Sequence, residues 1–154
     1  MAKRRMISAE VVCSDTFSEM PFEAQALYYR LIVAADDDGF LNCARTILRI
    51  LSLQQETLSL LESNGYIYIF DSGIVCIRHW NRQNTIQKDR YSETAFQNEK
   101  SQLVLREKIY YLKSELETIT NCIQDVSNLD TQYNKNNKLS NTGKERKTYD
   151  LWEE

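Results

Sequence analysis

This chain of 154 residues has one proline, four glycines and one histidine. Each scarcity excludes something. A lone His79, with Cys13, Cys43, Cys76 and Cys122 scattered and no C-x-x-C pair, excludes the usual zinc-ligand spacings. Without a second histidine, a glycine-rich phosphate loop or a nucleophile motif, no catalytic constellation forms. The expectation is a non-enzyme without cofactor, in which His79 is a structural histidine. No apolar run approaches the roughly 20 residues that span a bilayer. The start, MAKRRMISAE, carries cations with no apolar stretch behind them, which is not a secretory signal. Unpaired cysteines then suit reduced thiols in a cytoplasm, away from membranes. No proline or glycine falls between Ser92 and Asp125, so nothing there forces a helix to break.

What the chain does have is a dense apolar first part. Pro21 suits a first helical turn, and Ala24, Leu27, Tyr28, Leu31 and Ala35 recur at helical spacing behind it. Asp36-Asp37-Asp38-Gly39 then stops this helix. The triplet has the wrong spacing for a calcium loop and is expected as a solvated turn. Asn42 can cap a second helix with Cys43, Ile47, Ile50 and Leu51 on one face. Ser52 to Gln55 has the form of a capping box for a third helix with Leu53, Leu58, Leu60 and Leu61 as its apolar positions. Asn64-Gly65 closes that helix, with Gly65 as the left-handed residue. YIYIF, DSG and IVCIRHW follow, two strand-like runs around a glycine-containing turn.

Thr94 to Gln97 can cap a further helix. Leu105, Ile109, Leu112, Leu116, Ile119, Ile123 and Val126 are then separated by 4, 3, 4, 3, 4, 3, a heptad seam. It either joins two copies of the chain or packs back on the domain, with Tyr110 and Tyr111 widening the stripe. Beyond it, Thr131 to Thr148 is rich in Asn and Lys and too poor in apolar residues to order itself. TYDLWEE at the end is a docking peptide or a frayed terminus.

The expected fold class is mainly α with a small β-hairpin. A winged helix-turn-helix domain spans 1–91, an amphipathic, coiled-coil-capable helix 92–128, and a disordered polar tail 129–154.

The net charge of −3 permits a basic face, because salt screens charges beyond about 8–10 Å. Candidate phosphate contacts are Lys3, Arg4 and Arg5 at the start, Arg45 and Arg49 on the second helix, and the block RHWNRQNTIQKDR from Arg78 to Arg90. In that block Arg78, Arg82, Asn84, Gln87, Lys88 and Arg90 carry charge or amide groups. Base reading falls to Gln54, Gln55 and Thr57, since glutamine can pair bidentately with adenine. Glu56 and Glu62 on the same helix oppose a phosphate-lined groove.

Four stretches, MAKRRMIS, MPFEAQALYYRL, ADDDGF and HWNRQNTIQKDRY, resemble in order and spacing the N-terminal domain of phage replisome organisers, the DnaD-like replication initiation proteins. The resemblance covers about Met1 to Arg106. It implies a winged-helix domain that binds duplex DNA at a replication origin and helps recruit the helicase or its loader. It also implies a cytoplasmic protein without cofactor. Family members often continue into a second folded domain, whose place the heptad stretch and the tail take here. A transcriptional regulator and an adaptor that binds only proteins are the alternatives.

Overall fold

The computed structural model describes residues 4–116. One compact unit spans Met1–Lys113 and a second begins at Ser114. In the first, two short helices, α1 (Ala9–Val12) and α2 (Asp15–Ser18), precede the longest helix, α3 (Phe22–Ala34). The two-residue strand β1 (Phe40–Leu41), helix α4 (Ala44–Ile50) and helix α5 (Gln55–Ser63) follow. Next come β2 (Ile67–Ile69), β3 (Val75–Ile77), α6 (Trp80–Gln83), α7 (Gln97–Ser101), β4 (Leu103–Arg106) and β5 (Ile109–Leu112).

Helix α3 turns Ala24, Leu27, Tyr28, Leu31 and Ile32 inward, the spacing set by 3.6 residues per turn. Phe17, Tyr28 and Tyr66 meet edge to face, with ring centroids 5.3–5.5 Å apart. That arrangement sets the positive edge of one ring against the negative face of the next. Helices α4 and α5 add Ile47, Leu48, Leu58 and Leu61 to the core. Helix α5 ends as its sequence dictates. Gly65 takes φ +74°, its N–H donates to Glu62 O, and Tyr66 N–H donates to Leu61 O. The helix begins differently from the capping-box expectation. Gln54 is the N-cap, with no side-chain bond, while Ser52 sits in the turn at φ 56°.

Strand β3 lies between β1 and β2, antiparallel to both, with Ile67 opposite Ile77 and Phe40 opposite Cys76. A second antiparallel sheet, β4–β5, pairs Leu103 with Leu112 and Arg106 with Ile109. The molecule is therefore mixed α/β with two small sheets. The expected class, mainly α with a winged helix-turn-helix and a long C-terminal helix, is overturned by this second sheet.

The seam residues explain the error. Leu105 lies on β4, and Ile109 and Leu112 lie on β5. Between the strands Glu107 and Lys108 take φ 49° and 64°, the two left-handed residues of a tight hairpin turn. Asn-Gly usually signals such a turn, and Glu-Lys does not. Two strands read as one helix because 4-3 spacing also samples a hairpin. The β-branched and aromatic run Ile109-Tyr110-Tyr111 favours a strand. Tertiary bonds complete it, as Tyr110 N–H donates to Arg78 O and the Tyr110 hydroxyl to Asp38 O. Leu105 is 51% exposed on this hairpin. Leu116 is helical at the last described position, and Ile119, Ile123, Val126 and the polar tail lie outside the described residues.

Gly39 gives a direct check of the packing. At φ +91°, a Cβ there would meet Trp80 Cγ at 2.6 Å and Trp80 Cβ at 2.7 Å. Trp80 is 1% exposed and has no room to withdraw. Gly39→Ala is expected to destabilise the fold by about 2–3 kcal/mol, read as a lower urea midpoint.

Candidate nucleic-acid interface and the aspartate node

The aspartate turn joins α3 to β1, and each of its three carboxylates faces inward or along the backbone. Asp36 Oδ1 accepts the N–H groups of Asp38 and Phe40 at 3.0 and 2.9 Å, a local side-chain turn. Asp37 pairs with Arg5 at 3.1 Å, their side chains 1% and 7% exposed, and also accepts Ser92 N–H. Asp38 accepts the Tyr91 hydroxyl, Thr94 N–H at 2.9 Å and Lys100 Nζ at 3.0 Å. The Asp37 carbonyl takes the Trp80 indole N–H at 2.9 Å. The solvated turn expected from sequence is instead a buried node. It binds the N-terminal segment, α6, the 91–94 loop, α7 and β5.

This node occupies several residues assigned to DNA. Arg5 also donates to Ala35 O at 2.7 Å and lies over the Trp80 ring, 5.1 Å from its centroid. Arg78 stacks over Tyr111 at 4.9 Å and Tyr68 at 5.7 Å, clamping the second hairpin to the strand end. Asn84 is buried, and its Oδ1 accepts Met6 N–H at 2.9 Å. Gln83 bridges Ser8 N–H and the Tyr28 hydroxyl. Arg5, Arg78 and Asn84 thus hold the fold together.

Other candidates remain at the surface. Arg4, Arg45, Arg49 and Lys88 are exposed and form no salt bridge among the described residues. Arg45 and Arg49 lie one turn apart on α4. Among the described residues the Arg90 side chain pairs with its neighbour Asp89, at 3.8 Å, both side chains over 70% exposed. Arg82 pairs with Glu10 at 3.0 Å in a solvent-exposed contact. Gln87 is exposed, as are Gln54 and Gln55 around the start of α5, while Thr57 is half-buried. Lys3 lies outside the described residues.

Two distant segments come together here. Arg5 is anchored at Asp37, and Met6 is bonded to Asn84, 78 positions away in sequence. The arm that carries Arg4 is therefore bonded to Asn84, four residues before Lys88. Sequence reasoning found the cations but missed the residues that anchor the segments around them: Asp37, Asp38, Gln83, Tyr91, Thr94 and Lys100. The available signal was three adjacent acids ending a helix directly before a buried strand, where a carboxylate needs a partner.

The node also gives the molecule an alkaline limit. Burial lowers the pKa of Lys100, but the Asp38 carboxylate and the Tyr91 hydroxyl outweigh it and raise it. Burial raises the phenols of Tyr28 and Tyr110. Tyr91 is raised by burial and by its bond to Asp38. All four groups keep their protons longer in the folded chain than in the unfolded one. Their contribution is therefore complete below the unfolded values of about 10, and disappears as pH rises towards the folded values. Denaturant midpoints should fall steeply above about pH 10. Lys100→Met should make that fall shallower.

Among the described residues no group of His, Cys, Asp and Glu is arranged to hold a metal, and no helix is long and apolar enough to cross a membrane. Compared with family models, with curated proteins and with solved structures, the chain has no match.

Proposed function

We propose that this chain is a DNA-binding protein of phage or prophage replication initiation, contacting duplex phosphates through its N-terminal arm and the segment after β3. The observation that supports the reading is the bond between Met6 and Asn84. It ties the arm that carries Arg4 to the start of the segment that carries Lys88 and Arg90, and all three cations are exposed. Exposed cations of this kind are the groups that release counterions from a polyanion. Arg45 and Arg49 extend the set of exposed cations along α4. The resemblance in MAKRRMIS and HWNRQNTIQKDRY supplies the biological setting, origin binding with a helicase or helicase loader as partner. Its most recognisable residues are largely those that build the node, so the resemblance supports a shared framework as well as a shared surface.

A competing observation favours an adaptor that binds proteins. An apolar groove of about 380 Å³ lies between α3 and α5, lined by Pro21, Ala24, Thr57 and Leu60 and flanked by Glu23 and Glu56. Phe22 and Val33 on α3 are 79% and 65% exposed. Carboxylates at that groove suit a basic peptide better than a phosphate backbone.

Fluorescence anisotropy of a labelled duplex, titrated at two salt concentrations, separates the two. The DNA reading expects tight binding at low salt that weakens steeply with added salt. A flat, weak titration rejects it.

A further inference from the structure

A cleft of about 240 Å³ lies between the α1–α2 segment and the end of β3, lined among others by Glu10, Ser14, Asn64, Arg78, His79 and Arg82. Two guanidinium groups face one carboxylate across it. Arg78 Nε and His79 Nδ1 are buried and have no hydrogen-bond partner among the described residues. The one carboxylate, Glu10, holds Arg82 in a pair whose side chains are 69% and 45% exposed. An exposed pair of this kind is weak and easily exchanged for another anion.

We propose that this cleft is a phosphate-binding site in which Arg78, Arg82 and His79 supply the donors and Glu10 occupies Arg82 until a phosphate displaces it. Arginine suits the role, since its planar fork matches phosphate oxygens bidentately. Arg78 is held in place by its stacking on Tyr68 and Tyr111, so its charge is fixed at the cleft, and it forms no salt bridge among the described residues. His79 reports the same excess of positive charge. Its pKa is pushed down to about 4 by burial, and Arg78 and Arg82 push in the same direction. Tyr66, on the floor of the cleft, packs on the imidazole at 5.8 Å and adds no formal charge at neutral pH. A bound phosphate would offset the two arginines and favour the imidazolium. The site is independent of the arm and of Lys88 and Arg90, so it stands or fails separately from the DNA reading.

His79 is the only histidine of the chain, which makes its ring an unambiguous probe. The test is an NMR titration of the full chain with inorganic phosphate near neutral pH, against chloride at matched ionic strength. The His79 ring and the Arg82 guanidinium should shift and saturate in phosphate alone, and the His79 midpoint should rise from its low value. Glu10→Gln should tighten phosphate binding severalfold by removing the competing carboxylate. Arg82→Gln should weaken it about tenfold or more, the loss of one charge-assisted contact. Both positions are exposed, so neither variant disturbs the core. Identical shifts in phosphate and chloride would overturn the proposal, as would equal affinities in the parent and both variants. A short duplex added to the phosphate-loaded protein names the natural source. Displacement assigns the site to the DNA backbone, and retention assigns it to a free phosphate or phosphomonoester; either keeps the site.

Discussion

Asp38→Ala should lower the stability of this chain by about 3 kcal/mol, toward the lower end of the range for breaking a buried ion pair. The Asp38 carboxylate accepts from the Tyr91 hydroxyl, Thr94 N–H and Lys100 Nζ, all within 3.1 Å. Removing it leaves a buried amide without an acceptor and an ammonium facing a cavity. Lys100 is partly exposed and regains some water, which keeps the cost below that of a fully enclosed pair. In a unit of about 100 residues this corresponds to a fall in melting temperature on the order of 10–20 °C. The damage should also be local. Amide exchange should speed up first from Tyr91 to Ser101, the stretch that Asp38 ties down. Glu93→Ala makes the control. Glu93 meets the same lysine at 3.5 Å but is 62% exposed, so its loss should change stability by less than about 0.5 kcal/mol. If Asp38→Ala melts with the parent, these bonds are exchanged for water at no cost and do not hold the fold together.

The same node shows where the sequence was readable. Helix α3 came from periodicity, and its observed span Phe22–Ala34 lies within one residue at each end of the stretch from Pro21 to Ala35. The end of α5 came from Asn64-Gly65, and β2 and β3 came from two β-rich runs about a glycine turn. Each of these signals is local, contained within about ten residues. The misreadings were not local. Asp37 and Asp38 look like turn residues until Arg5, Ser92, Thr94 and Lys100 arrive from up to 62 positions away. The β4–β5 hairpin looks helical until Arg78 O and Asp38 O receive Tyr110. Charge behaved in the same way. Sequence located the cations but could not tell a guanidinium stacked on tyrosine from one in water. Arg4 and Arg5 are adjacent in sequence, yet one is exposed and the other is buried against Asp37 and Trp80.

Replacing Arg4, Lys88 and Arg90 together by Glu should reduce duplex affinity at low salt by roughly 100-fold or more. Each lost phosphate contact removes about 0.9 from the slope of log K against log salt, so three contacts flatten it by about 2.7. The flattening matters more than the affinity, because a misfolded variant loses affinity without a defined slope. All three side chains are exposed, so the variant should melt close to the parent. Arg5→Gln should do the reverse, melting earlier while its folded fraction keeps the parental salt slope, because Asp37 already neutralises Arg5. A triple variant that binds duplex with unchanged affinity and slope would remove the arm and the block from the interface. The duplex would then be held by other exposed cations, Arg45 and Arg49 on α4 first among them, and only a flat titration of the parent chain itself would favour a basic peptide at the carboxylate-flanked groove between α3 and α5.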